Sequence, residues 1–297
     1  MTQLAFLGSG IMGLPMSLNL LAAGYRLAVY NRTAEKAHRA VAAGATHAQT
    51  PRAAAEGAEA VIVMVTGPEA VDELLAGPDG VLAGLAPGAA LVNMSTVSPA
   101  YARSLGARLA AEGIPYLDAP VSGSKKPAEE GTLVVLAGGE GELIERLEPM
   151  FLALGKRVVA CGDVGRGSEM KMAVNLLLGI MMGGLCEALE FGAACGIDRE
   201  LLLETFLAGP LNCGLFELKR EMLLAGDYPP QFPYKHMTKD IRFALQTADA
   251  AGAAVPLGHA LFQLYREGIG RGLGDADLAA LQRVLRLRGD AAQRTKE

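Results

Sequence analysis

A turn with three closely spaced glycines follows the first apolar segment and constrains the fold more than any other feature. The segment LAFL, residues 4–7, leads directly into GSGIMG, residues 8–13, and then into the helical pattern LPMSLNLLAAG. In a strand–turn–helix unit of this kind, the first glycine permits the tight turn, the second lets the backbone approach a pyrophosphate, and the third lets the helix pack closely. The motif is weak in isolation, but this context predicts a dinucleotide site. Its predicted contacts are Gly8, Ser9, Gly10, Ile11, Met12 and Gly13.

Short apolar runs alternate with helical patterns through the first half of the chain. Such alternation predicts a doubly wound, mainly parallel sheet covered by helices on both faces. Near-continuous apolar runs such as AVIVMV, residues 60–65, are typical of strands buried on both sides. The predicted strands are Leu4–Leu7, Arg26–Tyr30, Ala60–Val65, Ala90–Met94, Pro115–Leu117 and Leu133–Ala137.

The pattern changes near Cys161–Gly167, after which strand-like runs almost vanish. Helical patterns then dominate from Ser168 to Arg288, interrupted by proline-containing turns. We therefore predict two domains, an α/β dinucleotide-binding domain over residues 1–163 and an all-helical domain over residues 164–297.

Composition excludes several classes of protein. A chain of 297 residues that is 51% hydrophobic can bury a sizeable core, which rules out a wholly disordered protein. A net charge of −5 argues against nucleic acid as a partner. The four cysteines and four histidines are too scattered for a metal site. The uncharged stretch Met172–Cys186 is shorter than the ~20 residues of a membrane span, so we expect a cytoplasmic protein without a membrane partner.

The residues after the second predicted strand indicate which dinucleotide is bound. NAD-binding domains usually carry an acidic residue there, which holds the ribose hydroxyls. This chain has Asn31, Arg32 and Thr33 instead. A guanidinium can bind a 2′-phosphate that a carboxylate would repel, so these residues predict NADP(H) over NAD(H). The alternative is that Arg32 is an ordinary surface arginine.

Two segments are candidates for the reacting end. Ser122 and Gly123 lie in a loop of small residues that can bind an anionic group, although the pattern alone also fits a plain turn. Farther on, Lys171 and Asn175 are four residues apart and share a helix face, and Ser168 is a candidate N-cap. Lys171 is either a proton donor or a lysine that lies along the helix edge with its charge in water. Gly179 and Gly183 continue that face and would allow another body to approach closely.

A third polar segment, FPYKHMTKD at residues 232–240, precedes another amphipathic helix. Lys239 could reach the cofactor and Asp240 could anchor Lys171. Spacing alone predicts only a capped helix start there.

The chain resembles the β-hydroxyacid dehydrogenase family through four motifs in the family's order: FLGSGIMGLPMSLNL, DAPVSGS, GRGSEMKMAVN and KDIRFA. The branch that it resembles most is that of the glyoxylate/succinic semialdehyde reductases, through NRT, SGSKKPAEEGTL and FPYKHMTKD. The resemblance implies an NADP-binding Rossmann domain, a long connecting helix and a helical domain that forms homodimers or homotetramers.

The resemblance also implies residue roles. Lys171 is then the catalytic acid/base, Asn175 helps to hold the substrate, and Ser122 and Gly123 bind the substrate carboxylate. The other implied site residues are Phe232 and Asp240 at the substrate, and Val65, Thr96 and Lys239 at the cofactor. Two positions depart from the family pattern, because many relatives have leucine at Ser9 and a glycine at Ser124.

The implied activity is the NADPH-dependent reduction of short aldehyde acids, such as succinic semialdehyde and glyoxylate, to hydroxy acids. Two alternatives within the family are 3-hydroxyisobutyrate and tartronate semialdehyde chemistry. A non-enzymatic alternative is a dinucleotide-binding scaffold, since some relatives serve that purpose in chromatin. Those relatives, like the neighbouring imine reductases, lack the lysine that this chain retains as Lys171.

Overall fold

The computed structural model describes the backbone of residues 2–294 and the side chains of residues 2–289. It divides into two compact units, one ending at Lys171 and the other beginning at Met172. This division falls a few residues beyond the predicted 163/164 boundary.

Unit 1 contains a nine-stranded sheet in the order β3-β2-β1-β4-β5-β6-β8-β7, with β9 also pairing with β8. The first six strands pair in parallel, and the antiparallel pairs are β6 with β8 and β7 with β8. The predicted doubly wound, mainly parallel fold is confirmed. The strands are β1 Gln3–Leu7, β2 Arg26–Tyr30, β3 Thr46–His47, β4 Ala60–Val63, β5 Ala90–Asn93, β6 Tyr116–Asp118, β7 Val121–Ser122, β8 Leu133–Gly138 and β9 Gly155–Gly162.

Helices cover both faces of this sheet. Leu4 and Phe6 of β1 enter one hydrophobic core, while Ala5 and Leu7 enter the core on the opposite face. Burial on both faces explains why the central strands are continuously apolar. The helices are α1 Gly13–Ala22, α2 His38–Ala42, α3 Pro51–Ala55, α4 Pro68–Leu75, α5 Val81–Gly84, α6 Pro99–Ala111, α7 Lys125–Glu129, α8 Gly141–Leu154 and the start of α9 Arg166–Ala194.

The strand predictions differ from the structure by one or two residues at several strand ends, and they miss three strands. The predicted strand Ala60–Val65 stops at Val63, and the Val65 N–H donates to the Ser95 side chain at 3.0 Å. Three strands lacked a pattern that would predict them: β3 and β7, which have two residues each, and β9, which carries the exposed Lys156 and Arg157.

Unit 2 is built from helices over the described residues 172–294 and contains its own core. Tyr234 and Tyr265 are fully buried there with ring centroids 4.5 Å apart. The body that approaches Gly179 and Gly183 is the chain's own helix Pro256–Gly270, because a Cβ at either glycine would lie 2.9 Å from Leu261. The helices are the remainder of α9, then α10 Arg199–Ala208, α11 Gly214–Ala225, α12 Tyr234–Ala251, α13 Pro256–Gly270 and α14 Leu281–Arg294.

Helix α9 is long and apolar enough, by length and composition, to cross a membrane. Its 18-residue window of mean hydropathy 1.7 is 44% buried within the chain. Core helices of soluble proteins meet the same criterion, so this observation is weak evidence for a span. The absence of a membrane partner stays a prediction.

Candidate active site

The glycine turn joins β1 to α1 at the carboxyl end of the parallel strands. Gly8 has φ +111°, and a Cβ there would overlap the backbone oxygen of Met64. A Cβ at Gly13 would overlap the Gly8 oxygen, so only glycine lets α1 begin this close to the turn. Gly10 faces open space, because no described atom other than those of Ser9, Gly10 and Ile11 lies within 4 Å of the place that a Cβ would take. The turn therefore leaves room for a ligand next to the helix N-terminus.

The second strand braces this turn through Asn31. The Asn31 side chain accepts from the Ser9 N–H at 2.8 Å and donates to the Thr33 carbonyl at 2.7 Å. Arg32 is highly exposed, and its Nη1 lies 3.5 Å from Glu73 Oε2. Asn31 thus shapes the loop, while the Arg32 guanidinium lies in solvent beside Glu73.

Ser9 contributes a buried hydroxyl that makes no hydrogen bond to any described residue. Buried polar atoms in proteins are hydrogen-bonded as a rule, so this hydroxyl has the capacity to bond a ligand that enters the turn. Its position in the turn fits a dinucleotide.

The neighbouring strand ends supply Val65 and Thr96. Ser95 ties the two ends together, because its hydroxyl accepts from the Val65 N–H and donates to the Val63 carbonyl at 3.3 Å. Thr96 and Val65 are half-buried, next to this link. Val65 and Thr96 therefore lie just beyond the carboxyl ends of the paired strands β4 and β5, and β4 is the neighbour of β1.

The predicted substrate loop lies at the β7 edge of the sheet. Ser122 is half-buried and Gly123 has φ +131°, where a Cβ would lie 2.6 Å from Leu133. Any other residue at 123 would be strained by both backbone and packing. Lys125 and Lys126 follow in α7. Their ammonium groups lie 3.7 and 3.9 Å from the carboxylates of Glu129 and Glu130, and all four side chains are exposed to solvent.

The start of α9 corrects one prediction. The helix begins at Arg166, so Ser168 lies within its first turn and is not the N-cap. Its N–H and hydroxyl both donate to Asp118 at 2.7 Å, and this carboxylate at the end of β6 satisfies the helix start. Burial of Glu169 disfavours its charge, but hydrogen bonds from Arg166 and Arg103 outweigh that effect and lower its pKa.

Lys171 lies one turn into this helix and is 6% exposed. A charged side chain is rarely buried to this extent without a partner or a function. Lys171 is therefore not the solvent-facing lysine of the alternative interpretation, in which the side chain lies along the helix edge with its charge in water.

In unit 2, Asn175 and Asp240 form a buried pair. Asn175 Nδ2 donates to Asp240 Oδ2 at 2.7 Å, and Lys239 Nζ lies 2.9 Å from Asp240 Oδ1. Asn175 Oδ1 is buried and accepts no hydrogen bond from the described residues. Asp240 therefore orients the Asn175 amide, and Asn175 Oδ1 keeps its capacity to accept a hydrogen bond. The predicted anchoring of Lys171 by Asp240 stays a prediction.

Phe232 is held by the buried Asp277. Asp277 Oδ2 accepts from the N–H groups of Gln231 and Phe232 at 3.0 Å each, and from Lys219 Nζ at 2.8 Å. The Phe232 carbonyl in turn accepts from the Leu278 N–H at 2.9 Å. These contacts fix the segment that leads into α12.

No group of three or more His, Cys, Asp or Glu among the described residues is placed to hold a metal ion.

Comparison with known proteins decides the family. Residues 3–162 match the NAD-binding domain of 6-phosphogluconate dehydrogenase, and residues 165–285 match the NAD-binding domain of NADP-dependent 3-hydroxyisobutyrate dehydrogenase. The chain is 35% identical over 279 residues to glyoxylate/succinic semialdehyde reductase 1 of Arabidopsis thaliana, covering 94% of this chain and 96% of that protein. It belongs to the β-hydroxyacid dehydrogenase family. This β-hydroxyacid dehydrogenase is therefore an oxidoreductase with an NAD(P)-binding domain.

Two further similarities bear on substrate. This β-hydroxyacid dehydrogenase is 34% identical over 291 residues to NAD-dependent L-serine dehydrogenase of Pseudomonas aeruginosa, covering 96% of this chain and 98% of that protein. The crystal structure of 3-hydroxyisobutyrate dehydrogenase from Salmonella typhimurium has a TM-score of 0.89 at 28% identity, covering 96% of this chain and all of that one. Relatives with different substrates are thus similarly close.

Sequence reasoning missed several polar residues of this β-hydroxyacid dehydrogenase. Ser95, Asp118 and Asp277 are all buried and all hydrogen-bonded to residues beside predicted site positions. For Ser95 and Asp118 a usable signal existed, because each stands at the end of an apolar strand. Asp277 had only a local signal, since its side chain also caps the short helical turn at Leu278–Ala280, whereas the N–H groups of Gln231 and Phe232 come from more than forty positions away.

Proposed function

We propose that this β-hydroxyacid dehydrogenase reduces short aldehyde acids, such as succinic semialdehyde and glyoxylate, with NADPH. The observation that carries the proposal is the burial of Lys171, which lies one turn into α9 and is 6% exposed. A carbonyl reduction needs a proton donor, and a lysine in this setting is suited to that task. Support for the substrate class comes from the Arabidopsis relative and from the NRT and SGSKKP segments.

The residues of unit 1 fit the dinucleotide. The open face of Gly10, the N-terminus of α1 and the buried Ser9 hydroxyl would hold the pyrophosphate region, and Arg32 would meet a 2′-phosphate. Val65, Thr96 and Lys239 are proposed at the nicotinamide end. When bound, NADPH supplies the hydride that reduces the carbonyl carbon.

The chain's own residues complete the reaction. Ser122 and the Gly123 backbone hold the substrate carboxylate, which sets the orientation of the aldehyde. Lys171 Nζ stabilises the negative charge that develops on the carbonyl oxygen and donates a proton to it. Asn175 Oδ1, which Asp240 orients, accepts a hydrogen bond from the hydroxyl that forms.

A substrate panel tests this function. Initial rates of NADPH oxidation are measured with succinic semialdehyde, glyoxylate, tartronate semialdehyde and methylmalonate semialdehyde. We expect kcat/KM to be largest for succinic semialdehyde or glyoxylate. Preference for either of the other two would replace the proposed substrate class, and no oxidation with any of the four would refute the activity.

The preference for NADP(H) is tested at Arg32. Arg32→Asp removes a guanidinium and adds a repulsive carboxylate, so KM for NADPH should rise by about 10²-fold, while KM for NADH changes little. Arg52→Asp, at an exposed arginine of α3, is the matched control and should affect neither KM. Equal changes of both KM values in Arg32→Asp would show that Arg32 does not contact a 2′-phosphate.

We also propose that α9 contacts a second copy of the chain in a homodimer or homotetramer. Leu177, Gly184 and Phe191 repeat every seven residues along the exposed side of this apolar helix, and the two larger side chains are 59% and 70% exposed. A large apolar stripe that is exposed in the single chain indicates a surface that a partner covers. Because its other side is packed in the core of unit 2, a second protein is a better occupant than a bilayer. Cytoplasmic localisation stays a prediction.

Phe191→Asp is expected to shift the purified protein towards the monomer. In a two-fold interface the charge is introduced twice, once by each copy, which makes the effect large. Multi-angle light scattering after size exclusion measures the mass. Leu152→Asp, at an exposed leucine of α8, is the control and should leave the mass unchanged. A Phe191→Asp protein with the parental mass contradicts the proposed interface.

A further inference from the structure

Asp118 makes contacts that the proposed reaction does not use. Its carboxylate is fully buried and receives two hydrogen bonds from one residue, Ser168 N–H to Oδ2 and Ser168 Oγ to Oδ1, both at 2.7 Å. Asp118 ends β6 and begins the loop that contains Ser122, whereas Ser168 is three residues before Lys171. One carboxylate therefore links the substrate loop to the start of the helix that carries the lysine.

The backbone segments at this junction are closely packed. A Cβ at Gly167 would overlap the backbone oxygens of Asp118 and Leu136, and a Cβ at Gly138 would lie 2.7 Å from the Gly167 nitrogen. The first turn of α9 is thus pressed directly against the ends of β6 and β8. The Asp118–Ser168 bonds hold both the backbone and the side chain of one residue in that turn.

The chemistry of Asp118 suits an anchor. The N-terminus of a helix carries partial positive charge and unpaired N–H groups, which a carboxylate satisfies. Burial raises the pKa of Asp118, while the two Ser168 bonds oppose that rise. A buried carboxyl that accepts hydrogen bonds from the start of a helix contributes orientation as well as stability.

We propose that Asp118 is a positioning residue for catalysis, which sets the rotation of α9 and so the place of the Lys171 ammonium relative to the Ser122–Gly123 loop. This role presupposes the proposed reductase activity. Asp118 itself does not touch the reacting atoms. It acts through Ser168. A small rotation of the start of α9 is expected to misplace Lys171 without unfolding the helix.

The test compares Asp118→Asn with the parent. The amide keeps the shape and can still pair with Ser168, but it removes the charge and one acceptor. We expect kcat to fall by roughly 10- to 100-fold, since small misplacements of catalytic groups have effects of that size. The Kd for NADPH, measured by NADPH fluorescence, should be unchanged. Ser168→Ala, which removes only one of the two bonds, should lower kcat less and should add little to Asp118→Asn.

The rate at which Lys171 is acetylated is a second measurement, and it does not depend on turnover. Acetic anhydride labels amines, and peptide mass spectrometry gives the rate at Lys171 relative to the other lysines. The rate should change in Asp118→Asn and stay constant in Glu169→Gln, which removes a carboxylate from the same turn on the solvent side. Glu169→Gln should also keep the parental kcat.

The outcomes separate two failures. The positioning role would be overturned if the parent is active and both Asp118→Asn and Ser168→Ala keep the parental kcat and the parental rate of Lys171 labelling. A parent that reduces none of the aldehyde acids would refute the proposed function, and the labelling rates would then still decide whether Asp118 controls the position of Lys171. Equal loss of kcat in Glu169→Gln would show a general effect of the helix start and would also overturn the role.

Discussion

Replacing Lys171 by alanine is expected to lower kcat by ~10²–10⁴-fold, the usual consequence of removing one general acid. The side chain is 6% exposed and lies in the turn of α9 that Asp118 anchors. Without the ammonium, the oxygen of the aldehyde loses the cation that stabilises its developing negative charge. The Kd for NADPH should be unchanged, because the glycine turn and Arg32 are untouched. Steady-state rates with succinic semialdehyde give kcat, and a fluorescence titration gives the Kd for NADPH.

Lys171→Arg distinguishes the charge from the proton. Arginine keeps the positive charge but releases a proton poorly, so we expect this variant to remain strongly impaired. Lys156→Ala, at an exposed lysine of β9, is the control with parental kcat. Near-parental turnover in Lys171→Ala with normal NADPH binding would show that another group donates the proton.

Lys219→Met is expected to destabilise unit 2 by about 3 kcal/mol, because it leaves the Asp277 carboxylate buried without its counter-charge. Lys219 is 2% exposed, Asp277 is fully buried, and their charged atoms are 2.8 Å apart. Burial lowers the pKa of Lys219, and the charge of Asp277 opposes that effect. Urea unfolding followed by far-UV circular dichroism measures the loss, since unit 2 is helical.

Two further variants make this result specific. Lys219→Met combined with Asp277→Asn removes both charges and should recover part of the lost stability. Lys235→Met breaks the exposed Lys235–Asp275 pair on the same unit and should change the unfolding midpoint little. If Lys219→Met unfolds at the same urea concentration as Lys235→Met, the buried pair does not stabilise the segment around Phe232.

The parts of the fold that local pattern determines were predictable. The glycine turn follows from three residues with separate steric demands, and the structure shows Gly8 at positive φ and Gly13 against the turn backbone. The central strands were predicted because burial on both faces makes them continuously apolar. Strand β9 was missed because its lysine and arginine are exposed at the edge.

The candidate site was predictable only where function requires an unusual residue in a helix or turn. Lys171 and Asn175 stand out among apolar neighbours, and Gly123 stands out in its loop. The anchors were hidden, because hydrogen bonds such as Asp118–Ser168 join residues fifty positions apart. Sequence spacing suggested that Ser168 caps the helix itself, whereas the carboxylate that meets the helix comes from a strand.

Chemical rescue of Lys171→Ala tests the proposed proton donor most directly. Turnover of this variant is measured with succinic semialdehyde and NADPH in increasing concentrations of methylammonium, with tetramethylammonium as a cation that carries no transferable proton. If Lys171 donates the proton, the rate rises with methylammonium and does not rise with tetramethylammonium. Equal restoration by both cations, or a rate that neither restores while the parent is active and the variant binds NADPH normally, would contradict that role.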